Sequence, residues 1–128
     1  MERLTRNSYP GILCGIVILI LTGLPGSCLP HAKPIVGFDK VVHFLMYAIF
    51  AFACLWGYRQ QFVSNGPAYR KRALLLVAVI GIAYGGLTEI MQEYLVPGRI
   101  GDRFDFLADS SGVLLGIAIF PHFFRNTK

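Results

Sequence analysis

The sequence predicts an all-α protein, an integral membrane bundle of four transmembrane helices. Three observations carry this expectation. Hydrophobic residues make up 55% of the 128 residues and charged ones only 15%, with a mean hydropathy of +0.57. A water-soluble domain of this size has too much surface for so few charges. The apolar residues are also gathered in continuous blocks, without the alternation a membrane barrel needs, and the basic residues cluster on alternate connections.

The first block, 11–29, reads GILCGIVILILTGLPGSCL and carries no charge. It approaches the roughly 20 helical residues that cross a hydrocarbon core of about 30 Å. Its LPGSC end resembles a lipoprotein cleavage site, but Pro25 stands where such a site takes an aliphatic residue, so the block is read as a retained helix. Pro25-Gly26, Pro30, Pro34 and Gly37 then mark a loop. Asp39 is placed as the N-cap of the second block, 41–58, which carries no charge apart from His43. Ser64-Asn65-Gly66-Pro67 breaks the next connection.

The third block is uncharged from 73 to 88 and reaches spanning length by continuing through Glu89 to 95. Pro97-Gly98 and Gly101 form a turn. The fourth, 105–124, begins at Asp105 and from 106 on carries only Asp109 and His122 within its apolar run. Phe120, Phe123 and Phe124 at its end read as an interfacial aromatic belt. The whole chain, 1–128, is read as one domain without internal repeats.

A net charge of +5 raises the question of nucleic acid, but the distribution excludes that reading. Arg3, Arg6, Arg59, Arg70, Lys71, Arg72, Arg125 and Lys128 fall on one side of the predicted spans; Lys33, Lys40, Arg99 and Arg103 fall on the other. The positive-inside rule places both termini and the 59–72 connection in the cytoplasm. Cys14 and Cys54 lie inside spans and Cys28 stands alone near the outer side, so no disulfide framework or zinc pattern is expected.

Residues three or four apart share a helix face. In the third block Gly81, Gly85 and Glu89 follow at four-residue steps and Gln92 at three; in the fourth, Asp105, Asp109, Gly112 and Gly116 form a similar stripe. Two G-x-x-x-G patterns predict that these two spans pack against each other. Asp39, His43 and Tyr47 make a matching stripe on the second span. Together with Arg99 these residues are expected to form an outward-opening polar pocket, rimmed by Lys40, Asp102 and Arg103. Mutual satisfaction explains part of the set: Arg99 with Glu89 or Asp105, His43 with Asp109, Asp39 and Asp102 as caps. As a group they point to function, because ionisable groups inside a membrane are costly and normally mark a site.

These residues resemble the VanZ-like family of small bacterial membrane proteins. The resemblance runs through Asp39-Lys40-Val41-Val42-His43-Phe44 with Tyr47, then Thr88-Glu89…Gln92, where the family usually has Asp-Glu…Gln. It continues through Pro97-Gly98-Arg99 with Asp105, and ends in Asp109…Gly112…Gly116. It covers roughly 38–117 in order. It implies a bacterial cytoplasmic membrane protein whose family namesake is associated with teicoplanin resistance, and it implies no particular cofactor.

The expected ligand is a membrane lipid or a lipid-linked cell-wall precursor. Arg99, with Lys40 or Arg103, suits a phosphate at headgroup level. His43 is the general acid or base, its ordinary pKa lying nearest neutrality, and Glu89 and Asp105 orient it or take the second acid–base role. Asp39, Tyr47, Gln92 and Asp109 complete the binding residues. A divalent cation on Glu89, Asp105, Asp109 and His43 is an alternative, though no H-E-x-x-H or comparable spacing supports it. A non-catalytic assembly or regulatory subunit is the other. A proton pathway fits less well, because the cytoplasmic halves of the spans lack charge.

Overall fold

The computed structural model describes residues 2–23, 38–95 and 103–124, with side chains from residue 7 in the first segment and residue 40 in the second. Among these the chain is all-helical: α1 (Glu2–Gly23), α2 (Phe38–Trp56), α3 (Arg59–Ser64), α4 (Pro67–Leu95) and α5 (Arg103–Phe123). α4 and α5 are long and apolar enough to cross a membrane; the apolar parts of α1 and α2, Asn7–Gly23 and Lys40–Trp56, are shorter.

Chain direction alternates between the long helices. Gly11 and Gly15 of α1 lie against Cys54 and Phe50 of α2, and Gly81 and Gly85 of α4 lie against Val113 and Asp109 of α5. Both pairs are antiparallel. α2 and α5 run parallel and make the most extensive contact in the bundle.

Glycine explains that contact. A Cβ on Gly112 would run into the Phe44 carbonyl oxygen, and one on Gly116 would stand 2.5 Å from the Ala48 carbonyl oxygen. Only a missing side chain lets two helix backbones approach so closely. The sequence pattern had α4 and α5 meeting through both glycine stripes. The α4 stripe does seat α5, where a Cβ on Gly81 would stand 2.6 Å from Val113 Cγ2. The α5 stripe instead seats α2, since a stripe reveals a narrow face without naming the helix that fills it.

The connection expected to be a loop contains α3. Phe62 on this short helix is buried edge-on against Phe120, centroids 5.0 Å apart. Arg70 of α4 donates to the carbonyls of Phe62 and Val63 at 2.8 and 2.9 Å, satisfying orphan groups at the α3 end. Gly66 takes a positive φ of 89° at the turn, and Pro67, with φ preset and no N–H to lose, begins α4.

Phe120 departs from the predicted aromatic belt. It is fully buried, stacked on Phe124 at 4.6 Å and edge-on to Phe52 at 5.1 Å. Phe123 is exposed.

Burial is inverted relative to a water-soluble bundle. Leucine, isoleucine and valine side chains are exposed along α1, α2, α4 and α5, including Leu13, Ile49, Val79 and Leu114. The interior holds His43, Glu89, Gln92, Asp105 and Asp109 beside Tyr47, Phe50 and Val113.

Candidate functional site

The polar site lies where α2 and α5 begin and α4 ends. Four-residue spacing puts His43 and Tyr47 on one face of α2, with Lys40 one turn earlier. The same spacing puts Asp105 and Asp109 on the face of α5 that continues into Gly112. Since α2 and α5 are parallel, the stripes meet in register. His43 Nδ1 is 2.8 Å from Asp109 Oδ1, and Lys40 Nζ is 3.5 Å from Asp105 Oδ1. Glu89 arrives from α4 with Oε1 3.9 Å from His43 Nδ1.

Asp109 is fully buried and owes its place to a glycine. A Cβ on Gly85 would stand 3.1 Å from Asp109 Cβ and 3.4 Å from its Oδ2. The short Asp109–His43 hydrogen bond sets the imidazole. With Asp109 ionised, Nδ1–H donates to Oδ1, and Nε2 is left facing Asp105 Oδ2 at 4.0 Å. His43, Glu89 and Asp105 are buried too.

Tyr47 is spent on a different bond. Thr88 Oγ1 donates its one hydrogen to the Gly85 carbonyl at 2.9 Å, so Tyr47 O–H donates to Thr88 Oγ1 at 2.7 Å. The threonine, standing where the family usually has aspartate, is thus buried and fully used. Tyr47→Phe is expected to cost about 1 kcal/mol, because Thr88 keeps its bond to Gly85. Thr88→Val strands a buried hydroxyl and is expected to cost about 1–3 kcal/mol. Thermal denaturation in detergent reads both; equal costs would contradict this assignment of donors.

Gln92 also points away from the cluster, its Nε2 donating to the Thr22 carbonyl of α1 at 3.2 Å. Thr22 is buried and bonds back to the Ile18 carbonyl at 2.7 Å. It was missed in the sequence, although a lone threonine in so apolar a run was the available signal. Asp39, expected as an N-cap before the helix, is instead the second residue of α2. Arg99 and the proposed cap Asp102 lie outside the described residues, as does Cys28.

His43, Glu89 and Asp105 each offer a donor atom within 4.8 Å of the others, a spacing one divalent cation accepts. Lys40 already places positive charge 3.5 Å from Asp105, which works against a cation there.

Compared with known families, the chain matches the model of the VanZ/LLP1 family over residues 9–125. It belongs to the VanZ family. The match begins within α1, takes in the whole of α2, α4 and α5, and includes every residue of the polar site. Neither the curated proteins nor the solved structures compared with it include a match.

Proposed function

We propose that this VanZ-family chain is a bacterial cytoplasmic-membrane protein crossing four times with both termini inside, and that its polar site binds or modifies a phosphate-bearing cell-envelope lipid or lipid-linked wall precursor. The inverted burial supports the membrane reading. Exposed apolar side chains on every long helix suit hydrocarbon, and ionisable groups turned inward are how a membrane bundle carries a site.

The single observation behind the chemistry is the Asp109–His43 pair. A buried carboxylate holding one imidazole nitrogen commits the other to proton transfer, as in many acid–base sites. Nε2 is the proton-exchanging atom in this reading, with Asp105 and Glu89 as the neighbouring carboxylates. Lys40 and Arg103, together with Arg99 by sequence, form a basic rim above the acids. An anionic headgroup stops at that rim while its polar part reaches His43. Teicoplanin, the lipid-tailed drug linked with the family namesake, acts on the same surface, so altered susceptibility is an expected consequence.

The test is calorimetric titration of the detergent-purified protein with a long-chain isoprenyl phosphate and the matching alcohol. Wild type is expected to prefer the phosphate by at least about tenfold, a preference reduced in Lys40→Ala. His43→Ala is expected to retain binding and lose any turnover. Equal affinity for phosphate and alcohol would sink the phosphate reading.

A second reading has its own observation. His43–Asp109, Tyr47–Thr88 and Gln92–Thr22 each close internally, as in a non-catalytic assembly or regulatory subunit whose polar groups serve only the fold. The double substitution in the Discussion separates the two.

A further inference from the structure

At the end of the bundle opposite His43, α1 and α4 part company. They are tied near their C-terminal ends by Gln92 on the Thr22 carbonyl, and midway by the Tyr84 hydroxyl, which donates to the Gly15 carbonyl at 2.5 Å. Beyond Tyr84, toward the N-terminal ends, they enclose an open groove of about 860 Å³ whose floor is Phe50, Cys54 and Leu55 of α2. That volume falls within the roughly 300–1,000 Å³ typical of ligand sites.

The walls are apolar along their length, with Ile12 and Ile16 facing Leu76 and Ile80. Polar side chains stand at the mouth, Ser8, Tyr58, Tyr69 and Arg72, and at the far end, where the Tyr84 hydroxyl is spent on the Gly15 carbonyl. Ser8 and Tyr58 bond each other at 2.6 Å. Arg70 is committed to the α3 carbonyls and Arg59 to the Trp56 carbonyl and ring. Arg72, exposed, has no hydrogen bond or ion pair to another described residue.

Length chooses among occupants. Arg72 to Tyr84 covers about 18 Å of helix, close to the roughly 15 Å of hydrocarbon in one leaflet. A groove one leaflet deep, greasy throughout and cationic only at its mouth, has the dimensions and polarity of a single acyl chain beneath an anionic headgroup. A peptide partner would leave its backbone polar groups unpaired against these walls.

We infer that the α1–α4 groove holds one acyl chain of an anionic phospholipid from the cytoplasmic leaflet, its phosphate held at Arg72. This site is separate from the His43 cluster and rests on the membrane orientation proposed above, but not on any chemistry at His43. A lipid seated there completes the seam between α1 and α4.

The test counts lipids retained by the full chain, purified in detergent and exposed to equal amounts of phosphatidylglycerol and phosphatidylcholine, by native mass spectrometry. Wild type is expected to keep one phosphatidylglycerol in preference to phosphatidylcholine. Arg72→Glu, at an exposed position where folding is not at stake, is expected to lose that preference by at least about tenfold. Ala73→Trp, filling the groove, is expected to lose both lipids, while His43→Ala keeps wild-type retention. Equal retention of both lipids by wild type, or a preference unchanged in Arg72→Glu, overturns the assignment. So does loss in His43→Ala alone, which would move the lipid to the polar site. Recovery of the chain from cells without detergent would instead remove the membrane reading on which the orientation rests.

Discussion

Gly112→Leu is expected to leave little folded protein. Helix propensity alone predicts the opposite, since leucine gains about 0.5–1 kcal/mol over glycine in a helix interior. The bundle overrules it, because the first atom added at Gly112 meets the Phe44 carbonyl and comes within 3.1 Å of the Ala48 nitrogen. These are backbone atoms of the parallel helix α2, which cannot rotate aside as a side chain does. Overpacking ordinarily costs about 1–3 kcal/mol and here must exceed that, against a total stability of about 5–15 kcal/mol. Because α2 carries His43, separating α2 from α5 also dismantles the site. Gly86→Ala is the matched control: its Cβ meets only Phe106 at an ordinary 3.4 Å, so it is expected to keep the helix-propensity gain and be about 0.5–1 kcal/mol more stable than wild type. Size-exclusion profiles and thermal melts in detergent read both. A monodisperse Gly112→Leu protein with the wild-type melting temperature would contradict the α2–α5 packing.

Asp109→Ala is expected to carry the second largest effect. Asp109 is fully buried and holds the His43 ring at 2.8 Å. Removing one partner of a buried pair leaves the other desolvated and unanswered, at a cost of about 3–5 kcal/mol. Replacing both partners by apolar residues of similar size behaves differently, being often neutral or stabilising. His43→Phe combined with Asp109→Leu is therefore expected to regain most of the stability that Asp109→Ala loses, while abolishing lipid turnover or any effect on glycopeptide susceptibility. If the stable double variant works in cells as wild type does, the cluster serves the fold alone and the assembly reading replaces the catalytic one.

The sequence was most legible where periodicity and burial agree. The 73–95 and 105–124 blocks correspond to the greater parts of α4 and α5, and the four-residue steps at Asp105–Asp109 and His43–Tyr47 anticipated which side chains share a face. The pairing of His43 with Asp109 followed from those stripes. Partnership between helices was less legible. α2 and α5 are remote in sequence and parallel in space, and a glycine stripe does not say which helix fills it. Gln92 shares the α4 stripe with Glu89 yet bonds to α1, because a three-residue step turns it far enough round the helix to find Thr22. α3 was hidden for a different reason: six polar-leaning residues beside a Gly-Pro break hold too short a pattern, and tertiary burial of Phe62 makes the helix.

In the function proposed above, the polar site lies inside a membrane bundle and opens on the side opposite the basic end. The most direct measurement is thiol labelling of intact cells with a membrane-impermeant reagent, in a chain whose Cys14, Cys28 and Cys54 are serine. One arm carries Arg103→Cys, at the start of α5 beside the site, and the other Arg72→Cys, near the start of α4; both positions are exposed. Position 103 is expected to label in intact cells and position 72 only after permeabilisation. Labelling of position 72 in intact cells with position 103 protected would invert the orientation, and equal labelling of both only after lysis would contradict a site that opens outward.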